Sequence, residues 1–251
     1  MKRLIVNADD YGRTPGINEG TLEAHLKGIV TSATVMILER AAPEGIRQVL
    51  DRAPRLSLGL HFVLTGGGTP AVAPSSVPTL APGGRFVKDA EALPLTLPGD
   101  EVRRELSAQL AVFEAIAGRP PTHIDSHHHS ALHASVQVIF ADVARERGLP
   151  VRAASARARE ILRADGLRVP DWFLESFYAN GATRENLKML VENLPDGTSE
   201  LMCHPGHVDD DLLRGSSYST ERAREIEILC DPEIPQLLDR HGIELVGFDR
   251  L

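Results

Sequence analysis

Short runs rich in Val, Ile and Leu alternate along this chain with longer segments whose apolar residues recur at helical spacing. The runs lie at residues 3–8, 31–38, 57–64, 122–126, 150–154, 200–204 and 243–249. Each is bounded by turn-forming residues, which is typical of short strands. Strands that alternate with helices usually build parallel sheets, because a parallel connection needs a crossover helix. The pattern therefore predicts an α/β fold with mostly parallel strands.

Glycines mark the ends of the helical segments. The clearest segments are 100–117, 134–147 and 232–241, which we expect to end at Gly118, Gly148 and Gly242, with Asp231 as the N-cap of the third. Glycine is favoured just past a helix because it adopts the left-handed conformation without strain.

The chain is long enough for one domain with a full hydrophobic core, since 42% of its 251 residues are hydrophobic. We expect a single domain over residues 1–251 with two irregular insertions. Residues 66–99 are dense in Gly, Pro, Ala and Ser and are too long for an ordinary connection, which indicates a lid-like excursion. Residues 155–183 are also irregular and contain Trp172 and Tyr178, which could stack on sugar rings or pack in a core.

The composition excludes several classes of protein. A formal charge of −8 argues against nucleic acid as a partner, because such partners require a basic surface. No run of about 18 uncharged apolar residues is present, so we expect no membrane span. The N-terminus turns acidic too early for a signal peptide, and Cys203 and Cys230 lack CxxC spacing. We therefore expect a cytoplasmic protein.

Polar residues follow several of the expected strands at the point where each strand ends. They are Asp9 and Asp10 in NADDYG, His61 in GLHFVLT, His127 in THIDSHHH and His204 in CHPG. The carboxyl ends of parallel strands share one face of the fold, where active sites form. These distant residues are therefore expected to converge.

Two adjacent carboxylates, Asp9 and Asp10, repel each other unless a cation or hydrogen-bond donors compensate. Neighbouring strand residues point to opposite sides, so one carboxylate could bind a metal and the other face water or substrate. The alternative is a helix N-cap before Pro15.

The histidines also have two interpretations. Strand alternation would place His127 and His129 on one face and turn His128 away, whereas the alternative is a solvated polar loop. His61 alone is more often a buried core histidine than a ligand. In the loop after His204, His207 and Asp209, Asp210 and Asp211 fit an ordinary turn as well as a site.

Together the four motifs, in this order from residue 7 to residue 206, resemble the YdjC-like carbohydrate deacetylases, and the match spans essentially the whole chain. The resemblance implies a (β/α) barrel-like deacetylase fold and hydrolysis of an N-acetyl group on an amino sugar or short chitooligosaccharide. It places a divalent metal on Asp10, His61 and His127 and the general base on Asp9.

The resemblance implies magnesium, although two imidazoles are softer ligands than magnesium prefers, which keeps zinc, manganese and cobalt open. A set of three protein ligands leaves positions open for water and substrate. His204 is our candidate general acid, with His129 as the alternative. The expected partner is a small carbohydrate, and a homodimer is compatible with the resemblance.

Two other classes of function remain open. A metal-dependent phosphoesterase would also gather Asp and His residues at strand ends, and it would usually need two metals. A non-catalytic sugar-binding protein would keep the cleft without the base and the metal. Signatures of P-loop, dinucleotide-binding, zincin and serine-hydrolase proteins are absent.

Overall fold

A computed structural model describes residues 1–251. Its strands are β1 (Lys2–Tyr11), β2 (Ser32–Val35), β3 (Ser57–Phe62), β4 (Ile124–Ser126), β5 (Trp172–Leu174), β6 (Gly197–Cys203) and β7 (Ile243–Leu245). They form one sheet in the order β4-β3-β2-β1-β6-β5, and β7 pairs with β1. Every pairing is parallel. This half-barrel with helices confirms the expected barrel-like α/β class.

Nine helices connect and cover the strands. They are α1 (Pro15–Leu26), α2 (Ala42–Arg52), α3 (Gly99–Ala117), α4 (Ala134–Arg147), α5 (Ala156–Ala164), α6 (Arg184–Glu192), α7 (Asp210–Gly215), α8 (Thr220–Leu229) and α9 (Glu233–Arg240). The predicted ends of α3 and α4 are confirmed, since Gly118 and Gly148 have φ angles of 67° and 64°. No helix combines the length and the apolar character needed to cross a lipid bilayer.

One sequence-based strand assignment is wrong, and one strand was missed. Residues 150–154 form only an isolated bridge between Val151 and Ile124. The reason is that β4 has three residues, so its edge offers few backbone partners. Strand β5 was missed because it is equally short and lies inside the aromatic segment that we interpreted as irregular.

Residues 66–99 contain no strand, and only three short 3-10 turns precede α3. Several of their apolar side chains are nevertheless buried against the main core, including Val77, Leu80 and Phe86. Buried carboxylates of α3 bind the backbone of this segment: Glu105 accepts from the N–H groups of Ala71 and Val72. The segment is therefore anchored along its length, and its role as a lid stays a prediction.

Candidate active site

A cleft of about 610 Å³ opens at the carboxyl ends of the strands. Its lining includes all five residues that the sequence predicts: Asp9, Asp10, His61, His127 and His204. Asp9 and Asp10 lie in the last three residues of β1, His61 lies in β3, and His127 and His204 directly follow β4 and β6. The parallel register brings these positions together, because every strand delivers its last residues to the same face.

Asp10, His61 and His127 form a compact group of buried ligand atoms. Asp10 Oδ1 lies 3.4 Å from His61 Nε2 and 3.1 Å from His127 Nδ1. All three atoms lie within 4.8 Å of one another. Asp10 Oδ1 is buried and has no hydrogen-bond partner, which is costly for a carboxylate oxygen. A carboxylate and two imidazoles are a donor set that suits zinc, cobalt or manganese, so the residues fit a divalent metal.

His61 is held by a second carboxylate on its other ring nitrogen. Asp125 Oδ1 lies 2.7 Å from His61 Nδ1, and Thr34 donates its hydroxyl to Asp125 Oδ2. Burial alone would lower the pKa of His61, but the charge of Asp125, the hydrogen bond to Asp125 and the nearby carboxylate of Asp10 outweigh it and raise the pKa to about 10. These carboxylates favour a cation at Nε2, whether proton or metal. An imidazole fixed by a carboxylate is typical of metal-binding histidines.

The second oxygen of Asp10 is paired with a buried arginine. Arg222 in α8 donates from Nη2 to Asp10 Oδ2 at 2.5 Å. Burial would raise the pKa of Asp10, but Arg222 and His127 hold it well below the usual value. Asp10 also has a φ angle of +66°, an uncommon conformation for a residue other than glycine. Such backbone strain concentrates at functional sites.

Asp9 is bound on both oxygens by a different arginine. Arg152 Nη1 and Nη2 each donate to one oxygen of Asp9 at 2.6 Å, and Asn7 Nδ2 donates to Oδ1 at 2.9 Å. Burial would raise the pKa of Asp9, but the charge and hydrogen bonds of Arg152 hold it well below the usual value. Asp9 is therefore ionised at neutral pH.

Sequence reasoning missed Arg152, which is 6% exposed. Its guanidinium also contacts Asp125 at 3.0 Å and Glu200 at 2.7 Å. A signal was present in the sequence, since an arginine interrupts the apolar run at residues 149–154. An arginine in such a run requires a buried anion, and Asp9 supplies one.

His204 lies beside Asp9, with its Nε2 4.0 Å from Asp9 Oδ2. Its Nδ1 is buried and has no hydrogen-bond partner. Burial lowers the pKa of His204 to about 4. Glu225 in α8 accepts from the backbone N–H of His204 at 2.5 Å and from the hydroxyl of Tyr218. Helix α8 therefore positions His204 as well as Asp10.

The prediction that His128 turns away from His127 and His129 is wrong. Strand β4 ends at Ser126, and a 3-10 turn begins at His127. His128 and His129 have φ angles of 51° and 50°, so strand alternation does not apply to them. All three histidines line the cleft, and the rings of His127 and His128 stack with centroids 3.8 Å apart.

For several other residues, the structure decides between a role in the site and a role in capping or surface pairing. The N-cap of α1 is Thr14, so Asp9 and Asp10 do not cap it. Asp209 caps α7 and accepts from the N–H of Gly16, and His207 pairs with Glu23 at the exposed surface. These two loop residues have structural roles, as the alternative interpretation predicted.

Aromatic side chains form one wall of the cleft next to His204. Tyr178 and Tyr218 line it and stack with ring centroids 4.4 Å apart, and Tyr178 lies 5.2 Å from the His204 ring. Tyr178 is 43% exposed, so its ring is available to a ligand. Lys88 and Asp89 of the excursion also line the cleft.

Fold and site together define a barrel-like α/β protein with a candidate single-metal centre at the carboxyl ends of its strands. A family model described as YdjC-like protein matches residues 3–240. The chain therefore belongs to the YdjC-like family, which confirms the resemblance seen in the motifs.

Curated relatives match over nearly the whole chain. A protein of Geobacillus stearothermophilus named carbohydrate deacetylase is 40% identical and the alignment covers 97% of this chain and 96% of the relative. A chitooligosaccharide deacetylase of Yersinia enterocolitica is 36% identical, with 98% of each chain covered. A crystal structure from Enterococcus faecalis, described as a candidate cellobiose-phosphate cleavage protein, is 32% identical. It superposes with a TM-score of 0.93 over 99% of this chain and 98% of that one.

Proposed function

We propose that this protein is a metal-dependent carbohydrate deacetylase that removes the N-acetyl group from an amino sugar or a short chitooligosaccharide and releases acetate. The observation that carries this proposal is the unpartnered Asp10 Oδ1 facing two imidazoles, with a separate ionised carboxylate, Asp9, beside it. The names of the curated relatives support the same reaction and the same substrate class.

Asp10, His61 and His127 would hold the metal. When bound there, a divalent metal supplies Lewis acidity, which polarises an acetyl oxygen and makes water more acidic. Magnesium is the ion that the family resemblance favours, while the two imidazoles favour zinc, manganese or cobalt. Comparing these ions in one assay decides between them.

Asp9 serves as the general base in this proposal. Arg152 holds both of its oxygens in place, so the carboxylate stays ionised and its direction is fixed. Such a carboxylate is a weak base, and it takes the proton from water only as the oxygen attacks the acetyl carbon. Its fixed position lowers the entropic cost of that encounter.

His204 serves as the general acid. As the C–N bond breaks, the amine nitrogen must gain a proton, because an amide anion is a very poor leaving group. His204 Nε2 lies 4.0 Å from Asp9 Oδ2. Because burial lowers the pKa of His204 to about 4, its ring is neutral at neutral pH and must gain a proton during the reaction. In this proposal it gains the proton that Asp9 takes from water and passes it to the leaving nitrogen, and His129 is the alternative donor. The products are acetate and the free amino sugar.

A two-metal phosphoesterase fits these residues poorly. Asp9, His61 and Asp125 also lie close enough together to be considered as ligands. However, the guanidinium of Arg152 already occupies both oxygens of Asp9 and contacts Asp125. A cation there would face a buried positive charge. The arrangement therefore favours one metal, as the deacetylase proposal requires.

Acetate release from N,N′-diacetylchitobiose tests the proposed function. The protein is treated with a chelator, and magnesium, zinc, manganese or cobalt is then returned singly. We expect acetate only after a metal is restored. Acetate release by the chelated, metal-free protein would refute metal dependence, and bound metal without acetate from any N-acetylated amino sugar would refute the deacetylase assignment.

Three further expectations are independent of this assay. A cytoplasmic location, a homodimer and a single domain with two insertions stay predictions. Fractionation of the source cells tests the first, and sedimentation of the purified protein tests the second. Limited proteolysis tests the third, since a single domain should resist cleavage outside the exposed turns of residues 66–99 and 155–183.

A further inference from the structure

Arg222 contacts the candidate metal ligand Asp10 from the side away from the histidines. It is 1% exposed and extends from α8. Nη2 donates to Asp10 Oδ2 at 2.5 Å, and Nε donates to the carbonyl oxygen of Tyr218 at 3.0 Å. The guanidinium carbon lies 5.5 Å from the centre of the Tyr218 ring. The guanidinium is therefore held at a fixed position beside a single oxygen of Asp10.

The two oxygens of Asp10 thus differ in their surroundings. Oδ2 accepts a charge-assisted hydrogen bond, whereas Oδ1 has no partner and lies near His61 Nε2 and His127 Nδ1. A free carboxylate can bind a metal through one oxygen or through both. Binding through both would require Oδ2 to give up its bond to a buried arginine, which would leave that charge without its anion.

We propose that Arg222 is a positioning residue that restricts Asp10 to one-oxygen metal binding. The site then has three protein donor atoms instead of four. A position that a second carboxylate oxygen would take stays open for water or for the acetyl oxygen. This role rests on the proposed metal site, but it does not depend on which sugar is the substrate.

Arg13 offers an internal comparison, because it brings a second positive charge to the same oxygen without binding it. Its Nη1 lies 3.7 Å from Asp10 Oδ2, and its Nη2 donates to the carbonyl oxygen of Gly215. If positive charge alone controls how Asp10 binds the metal, both arginines should matter. If the hydrogen bond to Oδ2 controls it, only Arg222 should matter.

The test compares the wild-type protein with Arg222→Met and Arg222→Lys, with Arg13→Gln as the matched control. Each chelated protein is titrated with Co²⁺ by calorimetry, and the visible spectrum of the bound ion is recorded. Intensity of the Co²⁺ bands falls as the coordination number rises. We expect Arg222→Met to bind one Co²⁺ about three to ten times more tightly, since a repelling charge is gone.

The Co²⁺ spectra and the kcat values then distinguish the role of Arg222 from that of Arg13. In Arg222→Met the Co²⁺ bands should weaken and kcat should fall at least about tenfold, because an open position is lost. Arg222→Lys, which keeps one donor, should retain most of the wild-type intensity. Arg13→Gln should keep the wild-type spectrum. An Arg222→Met protein with an unchanged spectrum, or a folded one that no longer binds Co²⁺, would overturn the proposed role.

A crystal structure of the metal-loaded wild-type protein gives an answer that does not depend on variants folding. We expect Asp10 Oδ1 on the metal and Oδ2 still on Arg222. Both oxygens on the metal would refute the role of Arg222 and leave the proposed function intact. A wild-type protein that binds no metal would instead refute the metal site itself, and this inference with it.

Discussion

Asp9 and Asp10 are neighbours in the sequence, are equally buried, and are each paired with a buried arginine from a distant segment. They differ in how many of their carboxylate oxygens accept hydrogen bonds from the arginine. Arg152 binds both oxygens of Asp9, whereas Arg222 binds one oxygen of Asp10 and leaves the other without a partner. A compensating charge therefore does not by itself distinguish a base from a ligand. The position of the unpartnered oxygen does, because Asp10 Oδ1 lies beside two imidazole nitrogens and can still bind a cation together with them.

The backbone of β1 separates the two side chains. The regular pairing of β1 with β2 shifts between Ala8 and Tyr11, and Asp10 adopts a φ angle of +66°. Its carbonyl oxygen accepts from the N–H of Arg13, which closes a turn. The two carboxylates can consequently face different partners although they are adjacent. Local strain at Asp10 is thus part of what creates two distinct positions in the site.

The largest loss of activity is expected when a histidine next to Asp10 is removed. His127→Ala deletes one of three proposed ligands, so we expect loss of bound metal and a fall of acetate release to background. The matched control is His128→Ala, since this ring stacks on His127 but lies outside the proposed ligand group. Metal content and acetate are measured in parallel. Full metal content in His127→Ala would contradict the ligand assignment.

A change on the Asp9 side should separate metal binding from turnover. Asp9→Asn keeps the size of the side chain, so we expect normal metal content and a drop in kcat of about 10² to 10⁴. Asp89→Asn removes the same charge from an exposed position of the cleft and should have little effect. Equal loss of metal in Asp9→Asn and His127→Ala would show that the two aspartates do not have separate roles.

The sequence predicted the elements that bring the site together, because strand ends in a parallel sheet meet at one face. Asp10 follows one apolar run and His61 lies within another, and both line the same cleft, with 3.4 Å between Asp10 Oδ1 and His61 Nε2. The helix at residues 134–147 was predictable to the residue, since Gly148 ends it. Local signals suffice where a single residue decides the conformation.

The two arginines were harder to predict, because burial is decided by packing between distant elements. Arg222 and Arg224 lie two residues apart in a charged helix, yet Arg222 is buried and Arg224 is exposed. Helical spacing does place Arg222 on the same face as Ile226 and Leu229, but an arginine on such a face usually extends its charged end into solvent. The turn at His128 and His129 was missed for a related reason, since β4 ends after three residues where its pairing partner runs out.

His204 can be tested through the leaving group. The proposed acid matters for an amine, which must be protonated, and matters much less for a nitrophenolate, which leaves as an anion. We expect His204→Gln to lower kcat/KM for N,N′-diacetylchitobiose about 10²-fold and to change 4-nitrophenyl acetate hydrolysis by less than about threefold. His129→Gln is measured in parallel. An equal loss on both substrates would argue that His204 positions other groups and does not donate the proton.

The smallest loss of activity is expected for a change in Arg152, because this arginine acts on the reaction only by orienting Asp9. Arg152→Lys keeps the positive charge but replaces the two-pronged contact with a single donor. We expect kcat to fall about tenfold with metal content unchanged, because Asp9 is less well oriented. A double-mutant cycle with Asp9→Asn shows the route of this effect.

In the Asp9→Asn background, Arg152→Lys should cost almost nothing further in kcat, since the group that it orients is already disabled. Thermal unfolding of all four proteins monitors the contacts of Arg152 with Asp125 and Glu200. If the two changes instead multiply, Arg152 acts on the reaction independently of Asp9. The pairs Arg152–Asp9 and Arg222–Asp10 would then differ in more than the number of carboxylate oxygens that the arginine binds.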